Sequence, residues 1–128
     1  MAVNPMRPYY DPGHALTYRT PSPVKGKRLV TIAGARDGEE MVAGYPAAGG
    51  AVIGVTHHDS DMGRVGVTRV ETAILPVTVG ETAVAAGLVS VDAEGRLKPV
   101  EAGDAVAGYA LDAGAPGVDV PLDRSLRA

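Results

Sequence analysis

The sequence predicts an all-β fold, a small β-barrel or β-sandwich of short strands, and three observations support this. No window keeps apolar residues at helical spacing for more than about one turn. Short runs rich in valine, leucine and isoleucine recur along the 128 residues, and many of the 17 glycines and 10 prolines lie between them. Short strands separated by frequent glycine turns are typical of barrels and sandwiches.

Taken in order, the apolar runs predict strands at 29–32, 41–45, 51–56, 64–70, 73–79, 88–91 and 96–100, with a final pair within 105–122. Pro76 cannot donate to a strand ladder, which predicts an edge position or a bulge for its strand. The alanines after Thr82 could begin one helical turn, but Gly87 interrupts it. The segment 92–95 is predicted to be a hairpin loop, with Gly95 where a positive φ is needed.

One stretch of the chain returns in diverged form near the C-terminus. In each copy an apolar run ends at a glycine, a second glycine follows nine positions later, and valines then alternate with other residues. The related units are 51–70 and 105–122, offset by 54 residues, and Gly49 and Gly103 extend the match upstream. This self-similarity predicts an internal duplication of a small strand-loop-strand unit.

Residues 1–28 are predicted to form an extended arm ahead of a single β domain at 29–128. Five of the ten prolines lie in the arm, and each restricts its own φ and the conformation of the residue before it. The arm carries a net charge of +4 and the remaining residues carry −7. Five scattered positive charges form no block, so the arm is expected to meet an acidic protein surface and not nucleic acid.

Three of the five tyrosines, Tyr9, Tyr10 and Tyr18, also lie in the arm. Disordered segments are poor in aromatic residues, and tyrosine is favoured at interfaces because it combines contact area with a polar tip. The residues leave two interpretations open, docking on a partner or packing back on the protein's own domain. The arginines Arg7 and Arg19 are the candidate partners for acidic groups.

The composition also predicts self-association and a soluble protein. Phe, Trp and Cys are absent, so the core must use Val, Leu, Ile, Ala and Met, and surface buried between copies would add stability. The first residues lack a hydrophobic signal core, and the longest nearly apolar run, 46–55, is far shorter than the roughly 20 residues that cross a bilayer. We therefore expect synthesis in the cytoplasm and no membrane partner.

No segment has the pattern of an active site. The only cluster of metal-ligand residue types is His57-His58-Asp59-Ser60-Asp61, and adjacent histidines on an extended chain point to opposite faces. A solvent-exposed loop is therefore favoured over a metal site. No serine lies in a nucleophile elbow, and the glycine-rich segments lack the lysine and helix of a phosphate cradle. The expectation is a protein that is not an enzyme and has no cofactor.

An ordered set of segments resembles the head-decoration, or capsid cement, proteins of tailed bacteriophages. The matching segments are 10–17, 24–30, 53–55 with 63–67, 85–96, and 107–113 with 117–120. They cover nearly the whole chain. The sequence departs from the family pattern at 57–62, where a more polar loop replaces a short Asp-Ala loop.

The resemblance implies a structural protein of the virion, commonly a homotrimer, that binds the outer surface of a phage head and stabilises contacts between major capsid subunits. The predicted capsid- or subunit-binding residues are then Arg7, Tyr9, Tyr10, Tyr18 and Arg19. The alternative is a small β-barrel module that binds a ligand or saccharide in a pocket with convergent polar groups. The scarcity of aromatic residues outside the arm is unfavourable for sugar stacking.

Overall fold

The computed structural model describes residues 15–36, 38, 40–61, 63–68 and 74–125. These residues form ten strands and confirm the all-β prediction. In chain order the strands are β1 (Ala15–Thr20), β2 (Leu29–Ile32), β3 (Ala43–Gly44), β4 (Gly54–Thr56), β5 (Gly63–Thr68), β6 (Ile74–Thr78), β7 (Gly87–Val91), β8 (Leu97–Pro99), β9 (Gly108–Ala110) and β10 (Asp119–Asp123). No helix in this part of the chain is long and apolar enough to cross a membrane.

The strands form two five-stranded sheets in which neighbouring strands are antiparallel. The first sheet has the order β1-β5-β4-β2-β3, and the second has the order β6-β10-β9-β7-β8. Adding five to each strand number of the first order gives the second order. The two halves of the chain therefore share one topology, and we call residues 15–68 the first repeat and residues 74–125 the second repeat.

Strand register fixes which residues of the two repeats correspond. Leu29 lies opposite Val55 in the first repeat, and Leu88 lies opposite Tyr109 in the second. The next backbone contact agrees, since Ile53 N donates to the carbonyl oxygen of Val30 at 2.8 Å and Ala107 N donates to that of Val89 at 2.9 Å. Leu88 is thus the counterpart of Leu29, and Tyr109 is the counterpart of Val55.

The isolated bridges repeat as well. Val24 pairs with Ser60 in the first repeat, and Val84 pairs with Gly114 in the second. The units 51–70 and 105–122 contain the strand pairs β4-β5 and β9-β10, which hold corresponding places in their sheets. The likeness in topology extends beyond those units to all ten strands.

Two hydrophobic clusters form the core, and both are built without Phe or Trp. The cluster of the first repeat consists of Tyr18, Val24, Val30, Ala43, Val65 and Val67. The larger cluster belongs mainly to the second repeat, and it includes Leu29 and Val55 from the first. Successive residues of a strand point to opposite faces, so Leu29 packs towards the second repeat while Val30 packs within the first. The outer face of the first sheet is therefore buried where the second repeat covers it.

Backbone hydrogen bonds also join the repeats. Leu29 N donates to Gly95 O at 2.7 Å, Thr78 N donates to Lys27 O at 3.1 Å, and Gly49 N donates to Val91 O at 2.8 Å. Gly95 lies in the predicted 92–95 loop between β7 and β8 and has the predicted positive φ, 74°. A Cβ at this position would overlap the carbonyl oxygen of Leu29. Glycine is therefore needed here for the turn and for the close approach of the first repeat.

Pro76 lies on β6, an edge strand of its sheet, as predicted. It is directly opposite Pro121 on β10. Neither residue has a backbone N–H, and the carbonyl oxygen of Pro121 faces away from β6, where it accepts from Leu111 N at 2.9 Å. The two prolines therefore form a non-hydrogen-bonded pair of the β6-β10 ladder. The alanines after Thr82 form no helical turn, and Val84 bridges to Gly114.

The predicted boundary of the arm at residue 28 is corrected by the structure. β1 pairs with β5 along its whole length, and Val24 is buried in the core of the first repeat. The β domain therefore includes the described residues from Ala15 onward and does not start at residue 29. Residues 1–14 lie outside the described part of the chain.

Candidate interaction surface

Of the five residues predicted to bind a partner, Tyr18 and Arg19 lie within the described part of the chain, and Arg7, Tyr9 and Tyr10 lie outside it. Tyr18 is 1% exposed and pairs with Val65 in the core of the first repeat. Tyr18 thus packs on its own domain, which is the second of the two interpretations that the sequence left open. Its place among prolines and polar residues gave no local sign of this burial, which results from pairing with β5.

Arg19 is exposed on β1, directly opposite Arg64 on β5. Glu40 lies beside this pair of like charges. Arg64 donates two hydrogen bonds to its carboxylate, from Nε at 2.6 Å and from Nη2 at 2.8 Å. Hydrogen bonding from Arg64 lowers the pKa of Glu40, and the nearby charge of Arg19 lowers it further. This edge of the first sheet is therefore a charged surface at neutral pH.

The segment 57–61 forms the loop between β4 and β5, and its groups are used to hold the fold together. Asp59 Oδ1 accepts a hydrogen bond from Gly26 N at 2.9 Å, and Ser60 exchanges backbone hydrogen bonds with Val24. A Cβ on Gly26 would overlap the backbone of His58. In the ranges that the structure describes, no three His, Cys, Asp or Glu side chains converge as a metal site. The loop fixes the segment that leads into β2.

A cleft of about 360 Å³ lies where the two repeats meet, and its lining consists of Lys27, Val55, Thr56, His57, Leu75 and Pro76. Two of the polar side chains in the lining already form hydrogen bonds within the protein. Lys27 Nζ donates to Asp119 Oδ2 at 2.8 Å, and the Thr56 hydroxyl donates to Lys25 O at 2.6 Å. Hydrogen bonds from Lys27 and then Thr78 lower the pKa of Asp119.

The most distinctive surface is an exposed apolar face on the second sheet. One row across four strands joins Leu88, Tyr109, Asp123 and Ile74 in direct register. Leu88 is 45% exposed, Tyr109 is 36% exposed and Ile74 is 55% exposed. Leu111, which donates its N–H to Pro121 O at 2.9 Å, extends the face beyond β9. We call Ile74, Leu88, Tyr109 and Leu111 the outer face of the second repeat.

The corresponding face of the first repeat is covered. Leu29 is fully buried and Val55 is 3% exposed, because the second repeat packs over them. Their counterparts Leu88 and Tyr109 are open to solvent in the described structure. Sequence reasoning missed this face, although the alignment of the two units already placed the apolar Tyr109 at the position of Val55. Large apolar patches on a soluble protein mark interaction sites.

A charged group bounds one end of this surface, since Lys98 lies opposite Ser90, two residues from Leu88 on β7. Lys98 Nζ donates to Asp104 Oδ2 at 2.7 Å, and Asp104 Oδ2 also accepts from Glu101 N at 2.9 Å. Hydrogen bonding from Lys98 is the main reason that the pKa of Asp104 lies below its usual range, and the bond from Glu101 adds to the effect. The same pairing raises the pKa of Lys98. These bonds fix the loop between β8 and β9 beside the outer face.

The fold is shared with a protein of a phage head. The chain is similar to the head fiber gp8.5 N base of bacteriophage phi29, with a TM-score of 0.70 and 20% sequence identity over 89% of this chain and 96% of that chain. No family model and no curated protein sequence matches. The resemblance to phage head proteins that the sequence predicts is therefore confirmed at the level of fold.

Proposed function

We propose that this chain is a structural protein of a tailed-phage head. It binds the outer surface of the shell as a homotrimer and stabilises contacts between major capsid subunits, and it acts without a cofactor and not as an enzyme. The observation that carries this proposal is the fold shared over 89% of the chain with the base of a head fiber. The exposed apolar face of the second repeat supports it independently, because a scaffold built for association needs such a surface.

The direct test is binding to purified heads that lack the protein. The full chain should bind to saturation at a fixed number of copies per head, and the decorated heads should release DNA at a higher temperature than bare heads. A chain that neither binds such heads nor shifts their release temperature would refute the proposal.

The predicted arm supplies a second test, with a deletion that the structure restricts. Residues 15–20 form β1, so the deletion should remove residues 2–14 and leave the sheet intact, which circular dichroism can verify. We expect the shortened protein to be retained less well on heads across a salt series. Exposed ion pairs contribute only about 0 to 1 kcal/mol each, whereas truncating a tyrosine buried at an interface can cost about 2 kcal/mol.

Tyr9→Ala and Tyr10→Ala should therefore weaken retention more than Arg7→Ala and Arg19→Ala do. Arginine variants with the larger effect, particularly at low salt only, would mean that charge and not apolar contact anchors the arm.

The competing function, a ligand- or saccharide-binding module, is favoured by one feature, the cleft between the repeats. The described tyrosines do not line it, so it offers no aromatic platform for a sugar ring. Titration of a panel of mono- and disaccharides should leave the amide resonances of Val55 and Thr56 unchanged. Saturable shifts at these two residues would favour the ligand-binding function.

A further inference from the structure

The two repeats have the same faces but different neighbours, and this asymmetry identifies a missing contact. Within the chain, the outer face of the first repeat, at Leu29 and Val55, packs into the cluster of the second repeat that contains Val91. The outer face of the second repeat has no such cover in the described structure, and Leu88 is 45% exposed where its counterpart Leu29 is fully buried.

The first repeat exposes a residue whose counterpart in the second repeat is buried. Strand register makes Ile32 the counterpart of Val91, since Val30 corresponds to Val89. Val91 is fully buried in the cluster that also contains Leu29 and Val55 of the first repeat, whereas Ile32 is 42% exposed. One repeat thus ends in an uncovered outer face, and the other exposes the position that would receive such a face.

We propose that the outer face of the second repeat docks on the first repeat of a second copy of this chain, next to Ile32. The contact continues between copies the stacking that already joins the repeats within one chain. This proposal rests on the self-association in the proposed function and assigns its surface. A head-to-tail contact of this kind closes into a ring when the rotation between copies permits, which agrees with a trimer.

Charge favours this arrangement over a pairing of two identical faces. The second repeat carries eight acidic and three basic side chains, and the first carries five acidic and six basic ones. Asp123 lies within the apolar row, between Tyr109 and Ile74. Two outer faces brought together would place acidic surface on acidic surface, whereas the head-to-tail contact places the acidic repeat on the weakly basic one.

The Asp123 carboxylate is already partly satisfied, which reduces the cost of covering it. Its Oδ1 accepts hydrogen bonds from Ser125 N at 2.9 Å and from Ser125 Oγ at 2.6 Å. A buried polar group is costly mainly when it lacks hydrogen bonds. A second copy that covers the face would therefore meet a carboxylate with one oxygen already hydrogen-bonded.

Because the chain contains no cysteine, the contact can be tested by site-directed cross-linking. The test mixes two variants, Ile32→Cys and Tyr109→Cys, after circular dichroism has verified that each is folded. The mixture is treated with a short bis-maleimide, both free in solution and bound to heads. The mixture should give cross-linked pairs at least tenfold above either variant alone. A mixture of Ile32→Cys with Val118→Cys, an exposed apolar position (48%) outside the face, is the control and should give few pairs.

Three outcomes would overturn the proposed contact. Cross-links of Tyr109→Cys with itself would show a face-to-face dimer, and cross-links only to a capsid subunit would show that this face contacts the shell, leaving the proposed head binding intact. If no cross-linked pairs form either in solution or on heads, the proposed head-to-tail contact is wrong. If cross-linked pairs form in solution but the protein does not bind heads, the proposed function is refuted and the contact between copies is retained.

Sedimentation provides a second measurement. Leu88→Glu should weaken self-association of the full chain at least tenfold, and Val118→Glu should change it less than twofold. Equal effects of the two variants would mean that the outer face has no special role.

Discussion

The guanidinium of Arg124 donates a hydrogen bond of 3.0 Å to the carbonyl oxygen of Ile53. Arg124 is only 4% exposed. The same group donates a second bond of 3.0 Å to Val52 O. These two carbonyls lead into β4 of the first repeat, whereas Arg124 directly follows β10 of the second. One buried side chain therefore ties the last strand of the protein to the opposite repeat.

Replacing Arg124 with Met should lower the free energy of unfolding by about 2 to 3 kcal/mol, because it leaves two inward-facing carbonyl oxygens without donors. Urea unfolding followed by circular dichroism measures the change. Lys25→Met, at an exposed position, is the matched control and should stay within about 0.5 kcal/mol of the parent. Equal stability of the two variants would show that Arg124 does not hold the repeats together.

The equivalence of Leu29 and Leu88 gives a matched pair of truncations. Leu29→Ala removes a fully buried side chain and should cost about 3 kcal/mol in unfolding free energy. Leu88→Ala removes one that is 45% exposed and should cost less than about 1 kcal/mol. The measurement is urea denaturation at a protein concentration low enough to prevent self-association. Similar costs would contradict the difference in cover between the two faces.

Gly95 and Gly117 separate backbone strain from steric overlap. Both have a positive φ, 74° and 81°, so alanine at either should cost about 1 kcal/mol for the left-handed conformation. A Cβ at Gly117 meets no atom within 4 Å, whereas one at Gly95 overlaps Leu29 O. Gly95→Ala should therefore cost about 1 to 3 kcal/mol more than Gly117→Ala by thermal or urea unfolding. Equal costs would contradict the close approach of the 92–95 loop to Leu29 of the first repeat.

Stability should fall in acid partly through Asp104. Its pKa is lowered in the folded state, mainly by the hydrogen bond from Lys98, so its contribution is complete above the ordinary carboxyl pKa of about 3.9 and is lost as the pH falls through the folded value. Asp104→Asn should lower the urea midpoint at pH 7, and the difference from the parent should shrink at pH 3.

Glu81→Gln, which removes an exposed carboxylate, controls for the loss of one negative charge and should leave the midpoint nearly unchanged. If Asp104→Asn differs from the parent equally at both pH values, then the ionised pairing with Lys98 is not the cause.

Properties that depend on near neighbours in the chain could be predicted from the sequence. The apolar run Leu29 to Ile32 and the glycine at position 95 predict a strand and a hairpin, because strand propensity and turn conformation are set by a few consecutive residues. Pro76 likewise predicts its edge strand, since a missing N–H excludes a central position. The repeated pattern of 51–70 and 105–122 also predicted a duplicated unit, but it did not predict that the two sheets share one strand order over all ten strands.

Which surfaces are covered depends on packing between distant parts of the chain. Leu29 and Leu88 have nearly the same local sequence character, yet one is buried and the other is open, because only the first repeat has another repeat packed over its outer face. Tyr18 was predicted to be a contact residue of an arm, and pairing with Val65 buries it instead. Burial depends on residues that are distant in the chain and close in space. A local pattern that specifies a strand does not specify which other part of the chain packs against it.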